Sequence, residues 1–359
     1  MSAVDVAAHL ARGWTQARGA DTITAHPMSD GGAGFLESLA ATIGGEQEAA
    51  LARDPWGAEV PTGWLRVGDT GYVETAAVLG DPRGRQAHRL ATEGSSAGVG
   101  DLVLAAVRAG VRRIVVGVGA GGTHDAGVGA LHALAGAAVD TPVEDALAAA
   151  AAALTGVEVI VAAAVSEPLV GLSGAGAALA GRPGMDAASA QARELVLAPV
   201  VARIEAAAPA PRSLLAGDTH QQARPSRRPH AGAAGGVAFA LGCAGARLLG
   251  GADVVAVETG LRAAVERSEL VLTAATRIDG AALDGGVPGS VGRLALAALV
   301  PAVAVAPTVL VSRRDISGTG LEATYPLTDP PGAGRVAPST DLPIALSQRA
   351  SRVATTWSR

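Results

Sequence analysis

The sequence predicts an α/β fold in which helices cover both faces of parallel sheets. Short runs rich in Val and Ile alternate along the 359 residues with longer stretches that are apolar at helical spacing. Hydrophobic residues make up 49% of the chain and aromatic residues only 2%, so Ala, Val, Leu and 48 Gly supply the apolar content. Strands that are buried on both faces read as continuous apolar runs, and their alternation with helices is typical of α/β architecture.

The strands are predicted where branched apolar residues follow one another for three to nine positions. The run RIVVGV at residues 113–118 is typical, because it is short, rich in β-branched residues and followed by a glycine-rich loop. By this criterion, we predict strands over residues 113–118, 157–165, 253–257, 270–272 and 302–306.

The helices are predicted where apolar residues recur every three or four positions. Glu144 and Asp145 suit the start of one helix, because acids are favourable near a helix N-terminus, and Gly156 suits its end. Residues 207–228 and 330–340 lack such periodicity and are predicted to be irregular. We predict helices over residues 99–109, 127–137, 144–154, 237–241 and 343–356.

An uncharged run at residues 294–311 has the 18-residue length at which a membrane span must be considered. It contains Pro301 and Pro307 and much Ala, so a helix that ends at Val300 and a buried strand that follows it explain the run better. The first residues carry Asp5 and no basic segment ahead of an apolar run, so we expect no signal peptide. The sequence therefore predicts a cytoplasmic protein with no membrane partner.

The charged residues exclude several classes of function. The net charge is −5 and no long basic block occurs, so nucleic acid is not an expected partner. All 28 basic residues counted as Lys or Arg are arginine, which excludes Schiff-base chemistry and a P-loop lysine. A lone Cys243 excludes an intrachain disulfide and a multi-thiolate metal site, and its apolar surroundings predict a core position.

The first glycine-rich loop, at residues 27–34, contains an acid and runs into a helical stretch. Gly31 and Gly32 could present backbone N–H groups to an anion at the helix N-terminus. The carboxylate of Asp30 would repel a bare phosphate, so it suits Mg²⁺ binding or acceptance of a hydroxyl proton. An ordinary turn with Asp30 as helix cap explains the pattern equally well.

The second glycine-rich loop, at residues 117–129, directly follows a predicted strand. It contains Gly119, Thr123 and Asp125 and a formal G-x-G-x-x-G pattern, with Asp140 some distance on. This is the pattern of a dinucleotide-binding turn, which stays an alternative, although polar residues crowd the position where the helix of such a fold would continue.

Further candidate residues lie in four other segments. Glu74 is an acid inside an apolar run, and Ser95 and Ser96 open a helix where they could cap it or hold an anion. Gly235 belongs to a glycine-rich loop at residues 229–236. Arg277 and Asp279 follow a predicted strand, at the end of parallel strands where ligands bind, in the segment 273–280.

Taken in chain order, these loops resemble motifs of the bacterial glycerate kinase family. The family's P-M-A-D-G-G-E-G is matched by residues 27–34, with Ser29 and Ala33 as the differences, and its G-I-G-G-S-A-T-N-D-G-G aligns with residues 117–127, where His124 replaces the Asn. The segments I-E-M-A-A-A, S-T-x-G-x-G-E-L and P-G-A-G-A-A-G-G are similar to residues 73–77, 95–102 and 229–236. The similarity extends over nearly the whole chain.

This resemblance implies two α/β domains, of which one is Rossmann-like and carries the other as an insertion. The expected limits are residues 1–60 plus 288–359 for the Rossmann-like domain and 61–287 for the inserted one. The resemblance also implies a kinase that uses ATP and Mg²⁺ to phosphorylate a hydroxyl of glycerate or a related small hydroxy acid. A small-molecule substrate is thus the expected partner, and a homo-oligomer is left open.

The resemblance also implies roles for the residues singled out above. Asp30 and Asp125 would act as proton acceptor or Mg²⁺ ligands, and Arg277 would contribute positive charge at the transferred group. The residues expected to bind substrate or nucleotide are Gly31, Gly32, Glu74, Ser95, Ser96, Gly119, Thr123, Gly235 and Asp279.

The chain departs from the family at charged motif positions. The family's D-V-x-N-P-L appears as residues 164–169, with Ala164 and Glu167 in place of Asp and Asn. The lysine of Q-K-G-A is missing and Arg182 lies one residue away, whereas G-E-G-R-x-D-x-Q keeps only Arg277 and Asp279 of its charged residues. The resemblance also implies a strand and a lysine-containing P-D-S-F-K-G loop ahead of residues 2–13.

These losses leave two functions open. Arginine can hold a phosphate in place of lysine, so an active kinase is one reading. The other is a catalytically impaired relative that binds a small acid or a nucleotide as a sensor or as a partner subunit, because the loop glycines persist while charged residues are lost.

Overall fold

The computed structural model describes residues 1–209, 224–327 and 341–358. The predicted irregular segment 330–340, and most of the segment 207–228, lie outside these residues. The chain divides into two compact units. The terminal unit comprises Met1–Ser29, Glu37–Ile43 and Ala252–Arg359, and the central unit comprises Asp30–Leu36 and Gly44–Gly251. The domain limits expected after residue 60 and before residue 288 stay a prediction.

Helices and strands alternate along much of the chain. The strands are β1 (Glu46–Arg53), β2 (Glu59–Val67), β3 (Thr70–Glu74), β4 (Arg113–Val118), β5 (Glu158–Ala163), β6 (Arg247–Gly250), β7 (Val271–Ala274), β8 (Arg277–Ile278), β9 (Ala302–Ala306), β10 (Thr308–Val309) and β11 (Leu321–Pro326). The helices are α1 (Ala3–Ala17), α2 (Phe35–Ile43), α3 (Ala76–Leu79), α4 (Ala87–Glu93), α5 (Ala97–Arg108), α6 (Val128–Ala135), α7 (Val143–Ala153), α8 (Ala175–Ala178), α9 (Ala187–Ala207), α10 (Val237–Cys243), α11 (Gly251–Glu258), α12 (Leu261–Glu266), α13 (Gly280–Asp284), α14 (Val287–Ala298), α15 (Arg313–Ile316) and α16 (Leu342–Trp357).

The central unit is built on a mixed sheet in the order β1-β2-β3-β4-β5-β6. Strands β3 to β6 are parallel, and β1 and β2, which the sequence pattern does not predict, extend the sheet as an antiparallel meander. Helix α5 packs against β1 to β4, and α6 packs against α5. Parallel strands end at the same edge of a sheet, so the loops that follow β4 and β5 emerge side by side.

The terminal unit contains a parallel sheet in the order β11-β9-β7. Its central strand, β9, is buried along its whole length, because its alternate residues point to opposite faces and an apolar cluster covers each face. Ala304 packs in one apolar cluster with Ala295 of α14, whereas Val303 packs in another with Leu10 of α1 and Leu346 of α16. This is the burial on both faces that the sequence predicts for an α/β protein.

Most predicted elements are confirmed. The strands predicted at residues 113–118 and 302–306 are β4 and β9, those at 157–165 and 270–272 overlap β5 and β7, and each predicted helix ends within two residues of an observed one. The strand predicted at residues 253–257 is wrong, because these residues form α11. The edge of β5 is filled instead by β6, which starts six residues earlier, so tertiary pairing overrides the β-propensity of the Val-rich run.

The apolar run at residues 294–311 contains the end of α14 and the buried strand β9, as expected. Over residues 1–209, 224–327 and 341–358, no helix has both the length and the apolar character needed to cross a membrane. Cys243 ends α10 and is buried in the core of the central unit, with 4% of its surface exposed, as predicted.

Candidate active site

The loop Asp30–Gly34 lies against the carboxyl ends of β4 and β5 in the central unit. Gly31 has a φ of +97°, and a Cβ at this residue would collide with the carbonyl oxygen of Ala162. A Cβ at Gly119, just after β4, would lie 3.3 Å from Cα of Gly32. Backbone therefore packs on backbone here, and glycine is the residue that allows it.

Asp30 places a carboxylate in this loop. Its Oδ1 accepts a hydrogen bond from the N–H of Gly32 at 2.9 Å, which closes the turn. Within the described parts of the chain, Oδ2 of Asp30 accepts no hydrogen bond, and the side chain is half-buried. One carboxylate oxygen at the carboxyl end of the parallel strands is thus available to accept a proton or to bind a cation.

Glu74 ends β3 and supplies the N-terminus of α2 with an acceptor. Its Oε1 accepts from the N–H of Gly34 at 3.1 Å, and its Oε2 accepts from the N–H of Leu36 at 3.0 Å. Both oxygens therefore satisfy N–H groups that have no partner inside the helix. The N–H groups of Gly34 and Leu36 at this helix N-terminus are thus bound by a carboxylate of the protein itself, and the anion site predicted at Gly31 and Gly32 stays a prediction.

Asp125 joins the start of α5 to the start of α6. Its Oδ2 accepts from the N–H and the hydroxyl of Ser96, each at 2.9 Å, and from the N–H of Gly129 at 3.1 Å. Its Oδ1 accepts from the N–H of Gly127 at 2.9 Å. Ser96 also accepts from the N–H of Ala130 at 3.0 Å. The structure thus brings Asp125 and Ser96 together in a network of protein groups, in which Oδ2 of Asp125 accepts three hydrogen bonds and Oδ1 accepts one.

Ser95 lies beside this network without joining Asp125. Its hydroxyl accepts from the N–H of Ala97 at 3.2 Å, so that it caps α5 locally. A Cβ on Gly129 would collide with this hydroxyl, which shows how closely the two helix starts approach.

The loop after β4 packs against the loop 231–236. A Cβ at Gly235, whose φ is +61°, would collide with the carbonyl oxygen of Thr123. The N–H of Ala126 donates to the carbonyl of Gly235 at 3.0 Å, and the N–H of Ala234 donates to the carbonyl of Gly119 at 2.9 Å. Gly119, Thr123 and Gly235 are therefore brought together, as parts of one tightly packed backbone layer.

Thr123 and His124 are buried in this layer, with 0% and 1% of their surface exposed. Among the described residues, neither Oγ1 of Thr123 nor Nδ1 of His124 has a hydrogen-bond partner. Burial, together with the positive charges of Arg182 and Arg193, lowers the pKa of His124 to about 3. His124 is therefore neutral at physiological pH, and the buried hydroxyl of Thr123 does not reach the surface to touch a ligand.

A cleft of about 210 Å³ opens beside these loops, within the central unit. It is lined by residues that follow β4 and β5, among them Ala120, Val165 and Glu167, and by Arg83 and Arg182. Motif spacing alone did not assign Arg83 or Glu167 to a site. The replacement of the family's Asn by Glu167 was the signal that could have pointed to the cleft.

Arg277 and Asp279 lie in the terminal unit. Nε of Arg277 is 2.7 Å from Oδ2 of Asp279, and Oδ1 of Asp279 accepts from the N–H of Ala282 at 3.0 Å, capping α13. That hydrogen bond and the guanidinium of Arg277 lower the pKa of Asp279. The two charges of this motif thus neutralise each other at the surface.

The residues described hold no group of three or more His, Cys, Asp or Glu side chains arranged for a metal ion. A divalent cation could still bind through one carboxylate when a substrate supplies phosphate oxygens, as is common for Mg²⁺. Asp30 fits that use, because one of its oxygens has no partner among the described residues. At Asp125, three hydrogen bonds occupy Oδ2 and one occupies Oδ1, so its predicted use as a cation ligand stays a prediction.

The chain is similar to known proteins over almost its whole length. Residues 1–358 match the sequence model of the glycerate kinase family. The chain is 33% identical over 358 residues to an uncharacterized protein of Mycobacterium bovis, which covers 99% of this chain and 87% of that one. It is 26% identical over 342 residues to the glycerate 2-kinase of Escherichia coli, which covers 90% of this chain and 86% of that one.

A solved structure shares the fold. It is the crystal structure of a protein described as a candidate glycerate kinase 2 from Salmonella typhimurium, with a TM-score of 0.72 and 25% identity. The match covers 99% of this chain and 94% of the other.

Proposed function

Because this chain belongs to the glycerate kinase family, we propose that it transfers the γ-phosphoryl group of ATP to a hydroxyl of glycerate or a related small hydroxy acid. Named glycerate kinases that are 26% and 27% identical over most of the chain support a glycerate kinase-like activity. The use of ATP and Mg²⁺ and a cytoplasmic location are parts of the same proposal. A homo-oligomeric state and the absence of a nucleic-acid partner stay predictions.

One observation in the structure supports this function above the others. Asp30 stands on a glycine-rich loop at the carboxyl ends of β4 and β5 and keeps one oxygen without a partner among the described residues. In open α/β sheets, ligands bind at this edge. In phosphoryl transfer, the acceptor oxygen bonds to phosphorus as the bond to the ADP oxygen breaks, and a nearby carboxylate can take the hydroxyl proton.

Asp30 serves this reaction either as proton acceptor or as Mg²⁺ ligand. Bound Mg²⁺ would neutralise charge on the phosphates. We assign Asp125 an anchoring role instead, because its carboxylate already accepts four hydrogen bonds. The Arg277 guanidinium would have to exchange Asp279 for a phosphate before it could contribute charge.

A coupled assay of ADP release with D-glycerate, ATP and MgCl₂ tests the proposal. We expect turnover by the unmodified chain. For Asp30→Asn, we expect a kcat that is lower by about 10²-fold or more, since a positioned carboxylate contributes rate factors of that order. Asp140→Asn is the matched control, because Asp140 is exposed and its side chain has no hydrogen bond or ion pair in the described residues. No turnover above background in a folded sample would contradict the kinase.

A second function is favoured because two carboxylates of the motifs accept hydrogen bonds from the protein's own backbone. Glu74 caps α2 and Asp125 ties α5 to α6, so both carboxylates stabilise the fold in this arrangement. We therefore keep, as the alternative, a relative that binds a small acid or a nucleotide without turnover. Isothermal titration with D-glycerate and with ATP separates the two functions: binding of either one without ADP release supports the alternative.

A further inference from the structure

Three residues at which the chain departs from the family motifs, Glu167, Arg182 and His230, lie at or beside one cleft. Val165 and Glu167, in the segment that follows β5, line the 210 Å³ cleft, and so does Arg182. His230, a glycine position in the family motif, donates its backbone N–H to the carbonyl of Ser166, beside the same segment. Two charged residues at positions that differ from the family, Glu167 and Arg182, thus line one cleft.

Arg182 brings a cation to the cleft without a matching acid. Its Nη1 donates to the carbonyl oxygen of Gly122 at 2.6 Å, which fixes the side chain. No carboxylate among the described residues lies within ion-pair distance of its guanidinium, and burial lowers the pKa of Arg182. A half-buried guanidinium is costly unless an anion accompanies it, and its planar fork suits a carboxylate.

Glu167 gives the same cleft the opposite charge. Its side chain is half-buried, and no described residue donates a hydrogen bond to its carboxylate. A carboxylate of this kind suits hydroxyl donors and repels anions. Arg83 adds an exposed cation to the lining, so the cleft combines positive charge with one acceptor.

We propose that this cleft binds the acceptor hydroxy acid by its two ends, with Arg182 pairing with the carboxylate and Glu167 accepting a hydrogen bond from a hydroxyl. The inference rests on the proposed kinase function and names the residues that select its acceptor. Neither residue is assigned to the chemical step; both are positioning residues.

Size and position support an acceptor rather than a nucleotide. The cleft holds about 210 Å³, below the roughly 300–1,000 Å³ of pockets that take drug-sized ligands. It also adjoins the Asp30 loop. Gly119 and Ala164 approach Gly32 of that loop, and the next residues, Ala120 and Val165, line the cleft.

Titration calorimetry with D-glycerate, lactate and propionate tests the cleft directly, without nucleotide. We expect Arg182→Gln to weaken D-glycerate binding tenfold or more, since the charge-assisted bonds to the carboxylate are lost. The affinity of Arg182→Lys for D-glycerate should lie between that of Arg182→Gln and that of the unmodified chain. Glu167→Gln should reduce the preference for lactate over propionate, which lacks the hydroxyl, because the charged acceptor is gone.

Arg85→Gln is the control, because Arg85 is exposed in the same loop as Arg83 and does not line the cleft. Equal binding of D-glycerate by the Arg182→Gln and Arg85→Gln variants would overturn the inference. Should Arg182→Gln not fold, Arg182→Lys and Glu167→Gln carry the same test. Weakened ATP binding with unchanged D-glycerate binding would also overturn it.

Steady-state kinetics separates this inference from the kinase proposal. If Arg182→Gln has a raised KM for the acceptor and an unchanged KM for ATP, the result supports both the acceptor cleft and the kinase activity. If Arg182→Gln turns over with an unchanged KM for the acceptor, the result contradicts acceptor binding in the cleft and supports the kinase activity. Arg182-dependent binding of D-glycerate by a chain that releases no ADP supports the cleft and contradicts the kinase.

Discussion

Three consecutive residues of one loop contrast in how the protein satisfies their polar atoms. Asp125 accepts four hydrogen bonds, whereas Thr123 and His124, directly before it, bury a hydroxyl and a ring nitrogen that have no partner in the described residues. The carboxylate thus holds the loop together, and the two residues before it are buried at a cost in stability. The contrast teaches that motif membership alone does not separate structural residues from residues available to a ligand.

The largest expected effect comes from removing the satisfied carboxylate. Asp125→Ala should lower the free energy of unfolding by about 3 kcal/mol, because the N–H groups of Ser96, Gly127 and Gly129 lose their acceptor. Urea unfolding measures this change. Asp140→Ala, at an exposed acid, should change it by no more than about 0.5 kcal/mol, and equal effects of the two substitutions would break the comparison.

A smaller effect on the free energy of unfolding is expected from the buried imidazole of His124, and this effect depends on pH. The unfolded chain takes up a proton at His124 near pH 6.5, whereas the folded chain does so only near its lowered pKa of about 3. Through His124, the free energy of unfolding therefore decreases as the pH falls from 6.5 towards 3, by up to about 1.4 kcal/mol per pH unit. His124→Asn removes the titrating group.

Urea unfolding at pH 6.5 and pH 4.5 checks this prediction. Between these pH values, the unmodified chain should lose about 2 kcal/mol more stability than His124→Asn. The carboxylates whose pKa is lowered in the folded state contribute equally to both chains and cancel. Equal losses in the two chains would show that the imidazole is hydrated or partnered in solution.

The smallest effect sharpens the contrast between two buried threonines. Thr75 donates its hydroxyl to the carbonyl of Gly117 at 3.0 Å, whereas Oγ1 of Thr123 has no partner among the described residues. Thr75→Val should therefore destabilise the chain by about 1 kcal/mol, and Thr123→Val should leave its stability unchanged or raise it by about as much. Thermal unfolding of the two variants side by side measures the difference; an equal loss in both would contradict it.

The fold was predictable where a local pattern and tertiary packing agree. The runs at 113–118 and 302–306 are apolar throughout and form β4 and β9, buried strands of parallel sheets. The run at 253–257 has a similar composition but forms α11, because β6 already pairs with β5. Strands β1 and β2 escaped prediction because β1 mixes charged residues with Ala and β2 lies partly exposed at the meander.

Motif order singles out candidate residues, but it does not tell which groups their side chains meet. Motif order identified Asp30, Glu74 and Asp125, yet nothing local shows that Glu74 meets the N–H of Gly34, 40 residues before it, or that Asp125 meets Ser96, 29 residues before it. These pairings depend on how the sheet sets one loop against another. The cleft was not predicted for the same reason, because Arg83, Glu167 and Arg182 are far apart in sequence.

The burial of Cys243 has a practical consequence for labelling this protein. Burial, with a further contribution from the negative charge of Glu205, raises the pKa of this thiol to about 12, so its sulfur stays protonated at neutral pH. Alkylating reagents attack thiolates, and the sequence offers no lysine amine to compete. A cysteine introduced at Arg85 would therefore carry a single fluorophore beside the rim of the cleft, with the native thiol left in place.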